Sequence, residues 1–164
     1  MDLDTIDTKA LALLQRDGRG TWAMLGAALG MTGPAAAERV RRLEAAGVIT
    51  GYRAIIEPKS VGLGLTAFIA VSLGGAVDRS SFLGRIARMP EVLECHHVTG
   101  DDDYLLKVRC AGTPELDRLL VHELKGIGGV VRTRTTVVLG TEKETSTLPV
   151  SSRGTARSRA RKRR

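Results

Sequence analysis

Apolar residues recur every three or four positions in three stretches of the first fifty residues, a spacing typical of amphipathic helices. The first stretch covers residues 3–14, with acids near its start, and a polar, glycine-containing segment interrupts it. Thr21 is suited to cap a second helix, which Gly30 ends. A third helix follows and runs to about Ala46, where Gly47 stops it. The chain is therefore predicted to begin with three short helices.

The third helix is predicted to bury one apolar face and to expose a basic one. Two helices joined by a short turn, the second with a basic face, are the layout of a helix-turn-helix, whose second helix enters the major groove of double-stranded DNA. Arginines there contact phosphates or base edges, and we expect Arg39 to be the leading contact; a solvated helix face is the alternative. The candidate DNA-binding residues are Thr32, Ala35, Glu38, Arg39, Arg41 and Arg42.

The rest of the chain alternates between strand-like and helix-like periodicity. Strands are predicted at residues 65–73, 92–99, 104–110 and 130–139, and helices at 80–88 and 114–124. This βαββαβ order is that of the ferredoxin-like split βαβ fold, in which two helices cover one face of an antiparallel sheet. The uncovered face needs a partner, so we expect a homodimer.

The two halves meet in a segment with several helix- and strand-breaking residues. Residues 48–56 are predicted to form a short β hairpin or an extended linker. The predicted fold class is α+β, with a winged-type helix-turn-helix followed by a ferredoxin-like domain. We expect a DNA-binding domain at residues 1–57, a linker at 58–64, the αβ domain at 65–142 and a tail at 143–164.

Charge is concentrated at the C-terminus. The formal net charge is +7, and seven of the 25 Lys and Arg residues lie in residues 151–164, which contain no acid. The other 18 basic residues balance 18 acidic ones, so the basic pI alone is no evidence for DNA binding. We predict a disordered basic tail that either binds DNA by counterion release or serves only solubility.

Composition narrows the class of protein further. Because only 3% of the residues are aromatic, little is available to stack on single-stranded nucleic acid, and this favours duplex DNA. No apolar run approaches the length of a membrane span and no secretory leader is evident, so we expect a cytoplasmic protein.

His96 and His97 point to opposite faces of a strand, and Cys95 and Cys110 are interpreted as buried small hydrophobes. We expect no metal site and no cofactor.

Short motifs follow one another in a definite order along both halves of the chain. In the helical half they are Leu3-Asp4 with Asp7, Glu38-Arg39-Val40-Arg41-Arg42-Leu43-Glu44, Gly47-Val48-Ile49 and Gly51-Tyr52. In the αβ half they are Pro90-Glu91-Val92, Glu94-Cys95-His96, Val98-Thr99-Gly100-Asp101, Asp103-Tyr104 and Thr133-Arg134-Thr135. Over residues 3–139 this set resembles the Lrp/AsnC family, the feast-famine regulators.

The resemblance implies a dimer built through the αβ domains and assembled further into tetramers or octamers. It also implies a small-molecule effector, an amino acid or related metabolite, bound between dimers. The effector-binding residues that it implies are Gly100, Asp101, Asp103, Tyr104, Thr133 and Thr135. Asp102 occupies a variable position of the family pattern. The alternatives are an acidic hairpin turn or a metal site for the acids, and ordinary β propensity for the threonines.

The start of the third helix departs from the family pattern. The sequence Thr32-Gly33-Pro34-Ala35-Ala36-Ala37 stands where the family has Ser-Pro followed by varied residues. Because Gly, Pro and Ala side chains form no hydrogen bonds with bases, we predict weak direct readout and more reliance on phosphates and DNA shape. Ala35 can still touch a thymine methyl. The alternative is that Thr32 only caps the helix and the rest packs close to the backbone.

The predicted function is a sequence-specific DNA-binding regulator of transcription that responds to an amino acid or related metabolite and is not an enzyme. One alternative is an architectural DNA-binding protein with low sequence preference. Another is an enzyme resembling siroheme decarboxylases, some of which share this family's fold and carry His residues for tetrapyrrole chemistry. The basic face of the third helix argues against the enzyme.

Overall fold

In the computed structural model, which describes residues 2–75 and 78–151, the three predicted N-terminal helices are present. Helix α1 spans Thr5–Arg16, α2 spans Trp22–Leu29 and α3 spans Gly33–Ala45. Their inward faces form one apolar core, which contains Ala10, Leu25, Leu29, Ala36 and Val40. The periodicity of the sequence thus identified all three helices, although Trp22, predicted on the apolar face of α2, is 46% exposed.

Helix α1 begins two residues later than predicted because its cap is an acid rather than an apolar residue. Asp4 accepts a hydrogen bond from the backbone N–H of Asp7 at 2.6 Å, and Asp7 accepts one from the backbone N–H of Asp4 at 3.0 Å. This reciprocal capping box satisfies two backbone donors that the first turn of a helix leaves unpaired. The two acids therefore define where α1 starts.

The turn between α2 and α3 is closed by polar caps and by a very close backbone approach. Thr21 and Thr32 cap the two helices, and Gly30 ends α2 with φ at 73°, as predicted. A Cβ placed on Gly26 would lie 2.8 Å from backbone atoms of residues 31–33. The turn can pack this tightly on α2 only because residue 26 has no side chain.

The predicted hairpin after α3 is absent. Residues 46–57 contain no strand, so the winged form of the helix-turn-helix is a wrong prediction for this chain, and the alternative that was predicted for residues 48–56, a linker, is what the structure shows. The side chains of Ile55 and Ile56 are 91% and 62% exposed. The end of this segment is therefore exposed, whereas Ile49 near its start packs on the core of the helical unit.

The second half of the chain contains the predicted βαββαβ order. After a 3₁₀ turn at Pro58–Val61, the elements are β1 Leu65–Leu73, α4 Arg79–Ile86, β2 Val92–His97, β3 Tyr104–Cys110, α5 Thr113–Arg118 with a π-helical continuation at Leu119–Leu124, and β4 Val130–Val137. All neighbouring strands are antiparallel and the sheet order is β2-β3-β1-β4. This confirms the predicted ferredoxin-like arrangement.

Within the described residues, helices cover one face of the sheet and leave the other uncovered. Ile69 and Val71 of β1 and Leu106 of β3 point to this face and form a core with Phe82 of α4 and Leu119 after α5. The alternate residues of the same strands point to the other face, where Phe68 is 36% exposed. This uncovered face is the one that a second copy of the chain is expected to cover in the predicted homodimer.

The described chain divides into two compact units. The helical unit comprises the residues up to Ala54 together with the segment that starts at Glu144, and the sheet unit comprises Ile55–Lys143. The predicted tail lies outside the described residues from residue 152 onward. Its first residues, 144–151, belong to the helical unit.

Replacing Gly26 by alanine is expected to destabilise the helical unit by about 1–3 kcal/mol, because the new methyl group forces the α2–α3 turn away from α2. The single tryptophan, Trp22, lies in α2, so its fluorescence during urea unfolding reports on this unit. Gly84→Ala in α4 is the matched control, since a Cβ there meets nothing within 4 Å. Equal midpoints for the Gly26→Ala variant and the parent protein would contradict the close packing of the turn.

Candidate functional site

Helix α3 presents one continuous exposed face. Pro34, Ala35, Glu38, Arg41 and Arg42 are all exposed, and at 100° per residue they lie within one third of the helix circumference. Thr32, just before them, uses its hydroxyl to accept a hydrogen bond from the backbone N–H of Ala35 at 3.4 Å. Five of the six candidate DNA-binding residues therefore lie on this face or at its N-terminal end.

The two arginines of the face differ in their pairing. Arg41 forms an ion pair with Glu38 one turn earlier, and both side chains are about two-thirds exposed, at 64% and 63%. Arg42 has no ion-pair or hydrogen-bond partner within residues 2–75 and 78–151. Since an exposed i,i+3 pair is weak, both guanidinium groups are available to an anionic partner, and Arg42 needs to break no contact.

Arg39 points elsewhere and has an internal role. Its guanidinium lies 2.6 Å from Asp4 and 2.5 Å from Asp7, and its side chain is only 19% exposed. Asp7 is 3% exposed, so the ion pair is largely shielded from water. The hydrogen bonds to Asp7 and Asp4 raise the pKa of Arg39, and the backbone N–H of Asp7 followed by Arg39 lowers the pKa of Asp4. The prediction that Arg39 is exposed is wrong, because α1 delivers its capping acids to it.

Tyr52 holds the chain that leaves α3 against that helix. Its hydroxyl donates a hydrogen bond to Glu44 at 2.8 Å. Burial, and then the contact with the Glu44 carboxylate, raise the pKa of Tyr52 to about 12. The tyrosine therefore remains a neutral hydrogen-bond donor at any physiological pH.

A second cluster of charged residues surrounds Asp102 in the β2–β3 loop. Its carboxylate accepts hydrogen bonds from the Ser72 hydroxyl at 2.9 Å, from Arg132 at 3.2 Å and from Arg134 at 2.7 Å. The side chain is 8% exposed, while the side chains of the two arginines are 57% and 70% exposed. The Ser72 hydroxyl and the charges of Arg134 and Arg132 lower the pKa of Asp102. The loop is thus joined to β4 by an ionised carboxylate.

A cavity of about 300 Å³ opens beside this cluster on the uncovered side of the sheet. Its walls combine apolar and charged side chains: Ala70, Val98, Thr99, Asp101, Asp102, Leu105 and Arg134. A volume of this size lies at the small end of ligand-binding pockets. The arrangement offers carboxylates, one guanidinium and an apolar wall within one cavity, which suits a small zwitterion with an apolar part.

Of the six effector-binding residues implied by the resemblance, only Asp101 lines this cavity. Tyr104 is 4% exposed and packs against the ring of Phe82 at 4.9 Å on the helix-covered side. The strand register places Thr133 and Thr135 opposite Val71 and Ile69, on the same covered side.

The remaining two predicted residues shape the β2–β3 loop. Asp103 accepts a hydrogen bond from the backbone N–H of Leu73 at 2.7 Å. Gly100 adopts a φ of 112°, which other residues rarely adopt. Both residues therefore position the loop from which Asp101 and Asp102 line the cavity.

The residues that sequence reasoning missed are Asp102, Arg132 and Arg134. Asp102 was set aside as a variable position, and the arginines alternate with the two threonines along β4. The two-residue period of a strand could have revealed the arginines, because it places them on the face of the sheet opposite the threonines. Which face is uncovered follows only from the sheet topology.

The two cysteines belong to the core of the sheet unit, and His96 lies on its surface. Cys110 is buried and Cys95 is partly buried against the sheet core, and burial raises the pKa of both thiols. His96 pairs with Glu94 at 3.1 Å.

Within the described part of the chain, no three His, Cys, Asp or Glu residues are grouped so that they would hold a metal ion. No helix in that part is both long and apolar enough to cross a membrane.

Comparison with known families matches both halves of the chain. Residues 3–44 match the AsnC-type helix-turn-helix domain, and residues 66–148 match the Lrp/AsnC ligand binding domain. The first range covers α1, α2 and all but the last residue of α3, and the second covers the four-stranded sheet except the first residue of β1.

Individual relatives match over almost their whole length. The HTH-type transcriptional regulator FL11 of Pyrococcus horikoshii is 38% identical over 90% of this chain and 97% of its own. The leucine-responsive regulatory protein of Escherichia coli K12 is 38% identical over 93% and 94%. A Neisseria meningitidis transcriptional regulator, solved as a complex with L-Met, superposes with a TM-score of 0.87 at 36% identity, over 90% of this chain and 96% of its own.

A helix-turn-helix joined to an αβ ligand-binding domain defines a DNA-binding transcription regulator. The chain belongs to the Lrp/AsnC family of such regulators.

Arg39→Met is expected to lower the free energy of unfolding of the helical unit by about 2 kcal/mol, because it leaves the buried Asp7 carboxylate without its cation. Urea unfolding followed by Trp22 fluorescence measures the loss. Arg42→Met is the matched control on the same helix and should change stability by less than about 0.5 kcal/mol. Equal stability of the two variants would show that the ion pair does not hold α1 to α3.

Proposed function

We propose that this regulator binds duplex DNA through the exposed face of α3 and that an amino acid bound in the cavity beside Asp102 controls that binding. The proposal joins two features of the structure, a basic helix face with an unpaired Arg42 and a cavity lined by charges of both signs. The single observation that carries it is the cavity, because its chemistry matches that of an amino acid. A non-enzymatic, cytoplasmic role accords with both features.

On DNA, α3 is expected to rely on phosphates and shape more than on hydrogen bonds to bases. Its N-terminal turn is built from Gly33, Pro34 and Ala35, which have no polar side-chain atoms. Thr32 is occupied by capping, leaving Glu38, Arg41 and Arg42 as the polar groups of the face. Arginines on a recognition helix contact phosphates as point charges and guanine as bidentate donors.

In the cavity, each part of an amino acid finds a complementary group. The α-ammonium group is expected beside Asp101 and Asp102, and the α-carboxylate beside Arg134. Ala70 and Leu105 offer an apolar wall to the amino-acid side chain. The Neisseria relative solved with L-Met supports an amino acid as the ligand class. The same cavity suits other small zwitterions less well when they lack an apolar part.

Assembly is expected through the uncovered face of the sheet. Phe68 is partly exposed there, and Ala70 and Leu105 belong to the same face by strand register. A second copy that covers this face would bury apolar surface that a single chain leaves in water. Further assembly to tetramers or octamers remains a prediction from the family.

Binding of the purified protein to its own upstream DNA and to a scrambled duplex, at one fixed salt concentration, tests the proposal. Preferential binding that changes when the twenty amino acids are added supports it, and dividing the pool identifies the ligand. Binding to both duplexes with equal affinity and no response favours the architectural alternative. Failure to bind either duplex, with and without the pool, refutes the proposal.

Arg42→Met is expected to weaken binding about three- to tenfold on both duplexes, because it removes a phosphate contact that carries no sequence information. The slope of log affinity against log salt should fall in magnitude by about 0.9 for each bound chain. Fluorescence anisotropy with labelled duplexes measures both quantities. Arg85→Met, an exposed arginine of α4 in the sheet unit, is the control and should leave affinity and slope unchanged. An unchanged slope for Arg42→Met would remove this residue from the DNA interface.

Arg134→Met is expected to weaken amino-acid binding at least about tenfold, because it removes the cationic partner of the α-carboxylate. Calorimetry with the amino acid identified from the pool, L-Met being the first to try, measures the affinity. Since Arg134 is 70% exposed, the free energy of unfolding should change little. Arg85→Met again serves as the control. Unchanged amino-acid affinity in Arg134→Met would place the effector elsewhere.

A further inference from the structure

The exposed face of α3 has an acid at its centre. At 100° per residue, Arg41 and Arg42 lie about 60° and 40° to either side of Glu38 around the helix axis. Beyond the two arginines the exposed surface ends, because Ala37 is buried and Arg39 is turned inward. Glu38 therefore occupies the middle of the surface that α3 presents to a partner.

Glu38 is also the first residue of α3 whose side chain can form hydrogen bonds. The five helix residues before it, Gly33–Ala37, have no polar side-chain atoms. Thr32, just before the helix, uses its hydroxyl to cap it. Since a recognition helix reads base edges with its N-terminal part, Glu38 is the polar side chain of the face that is best placed to reach a base.

The contacts of Glu38 within the chain do not hold it away from DNA. Its carboxylate pairs with Arg41, and the two side chains are 63% and 64% exposed. Glu38 has no other hydrogen bond or ion pair within the part of the chain that the structure describes. Because water screens an exposed pair of this kind, both groups can exchange partners when the helix meets DNA.

The centre and the flanks of this face would meet different groups in a major groove. The floor of the groove presents base edges, and its walls are lined by phosphates. A carboxylate turned toward the walls is repelled by the phosphates, so Glu38 can be accommodated only over the floor. The arginines on the two flanks are nearer the walls, where their charge is attracted.

The chemistry of a carboxylate restricts which base it can read. An ionised carboxylate accepts hydrogen bonds and donates none. In the major groove, guanine presents only acceptors, and thymine presents an acceptor and a methyl group. Adenine presents a donor beside the acceptor N7, which repels a carboxylate oxygen. Cytosine presents the N4 amino group as its only polar group there, so it is the base that suits a glutamate.

We propose that Glu38 is the base-reading residue of α3 and selects a cytosine in the DNA segment that each chain contacts, while Arg41 and Arg42 hold the flanking phosphates. This inference rests on the proposed binding of duplex DNA by α3 and adds to it the base that is read. The acid serves specificity in two ways. It accepts a hydrogen bond from cytosine, and it repels the acceptor edges of competing sequences.

Selection from a library of randomised duplexes, followed by sequencing of the bound fraction, tests the assignment. At one position of its motif, the natural protein should prefer cytosine over each other base by at least about fivefold. With Glu38→Gln, the preference at that position should move to adenine, whose N6 and N7 a glutamine amide binds together. With Glu38→Ala, the preference at that position should be lost while the rest of the motif remains.

Affinity for the scrambled duplex, measured by fluorescence anisotropy, tests the repulsive role of the acid. Glu38→Ala should bind this duplex about two- to fivefold more tightly, because it removes a negative charge and releases Arg41. Glu142→Gln, which neutralises an exposed acid of the sheet unit, is the control and should change neither the motif nor the affinity. Urea unfolding followed by Trp22 fluorescence checks that each variant is folded.

The outcomes separate this inference from the proposed function. The same motif for the natural protein and for Glu38→Ala would overturn the inference and leave Glu38 as no more than a partner of Arg41. A preference for another base at the position that Glu38→Ala alters would overturn the assignment to cytosine. If the natural protein binds duplexes without selecting any sequence, this inference fails and DNA binding stands. If it binds no duplex, the proposed function fails.

Discussion

A sheet covered by helices on one face must keep its charged side chains on the other, and this constraint organises the whole sheet unit. Along β4, Thr133 and Thr135 turn toward the helices, and Arg132 and Arg134 turn toward the open face. Asp102 meets both arginines there and remains ionised among them. The cavity beside this cluster is therefore a consequence of strand alternation combined with one-sided helix packing. A shift of one residue in register would exchange the two faces and remove the cavity.

In the helical unit, a largely buried ion pair joins α1 to α3 beside the apolar core. Asp4 and Asp7 first cap α1 and then receive the guanidinium of Arg39 from α3. The same carboxylates thus determine where α1 begins and bind an arginine of α3. With Arg39 directed inward, the side of α3 that carries Arg41 and Arg42 is left to face a partner.

The distribution of charge separates two kinds of basic residue. Those of the folded units are matched by acids in number, and several take part in ion pairs inside the chain. Those after residue 151 have no acids among them.

Local rules in the sequence determined the helices, the strands and the fold class. Apolar spacing located α1–α3 and the βαββαβ order, and Thr21, Gly30 and Thr32 ended or capped elements where their chemistry requires it. These features depend on neighbours within a few residues, which a single sequence displays. The family resemblance added the class of regulator, which the comparisons confirm.

Tertiary structure alone decided which charged groups meet. Arg39 and Asp7 are 32 residues apart, Asp102 and Arg134 are also 32 apart, and Gln15 and Leu148 are 133 apart. No periodicity links such positions, so Arg39 was expected at the DNA, Asp102 was set aside and the hydrogen bonds between Gln15 and Leu148 were not foreseen. Likewise, the absence of a strand at residues 48–56 follows only from the structure. Patterns along a chain report how each segment folds, whereas the pairing of distant charges depends on how the segments pack in three dimensions.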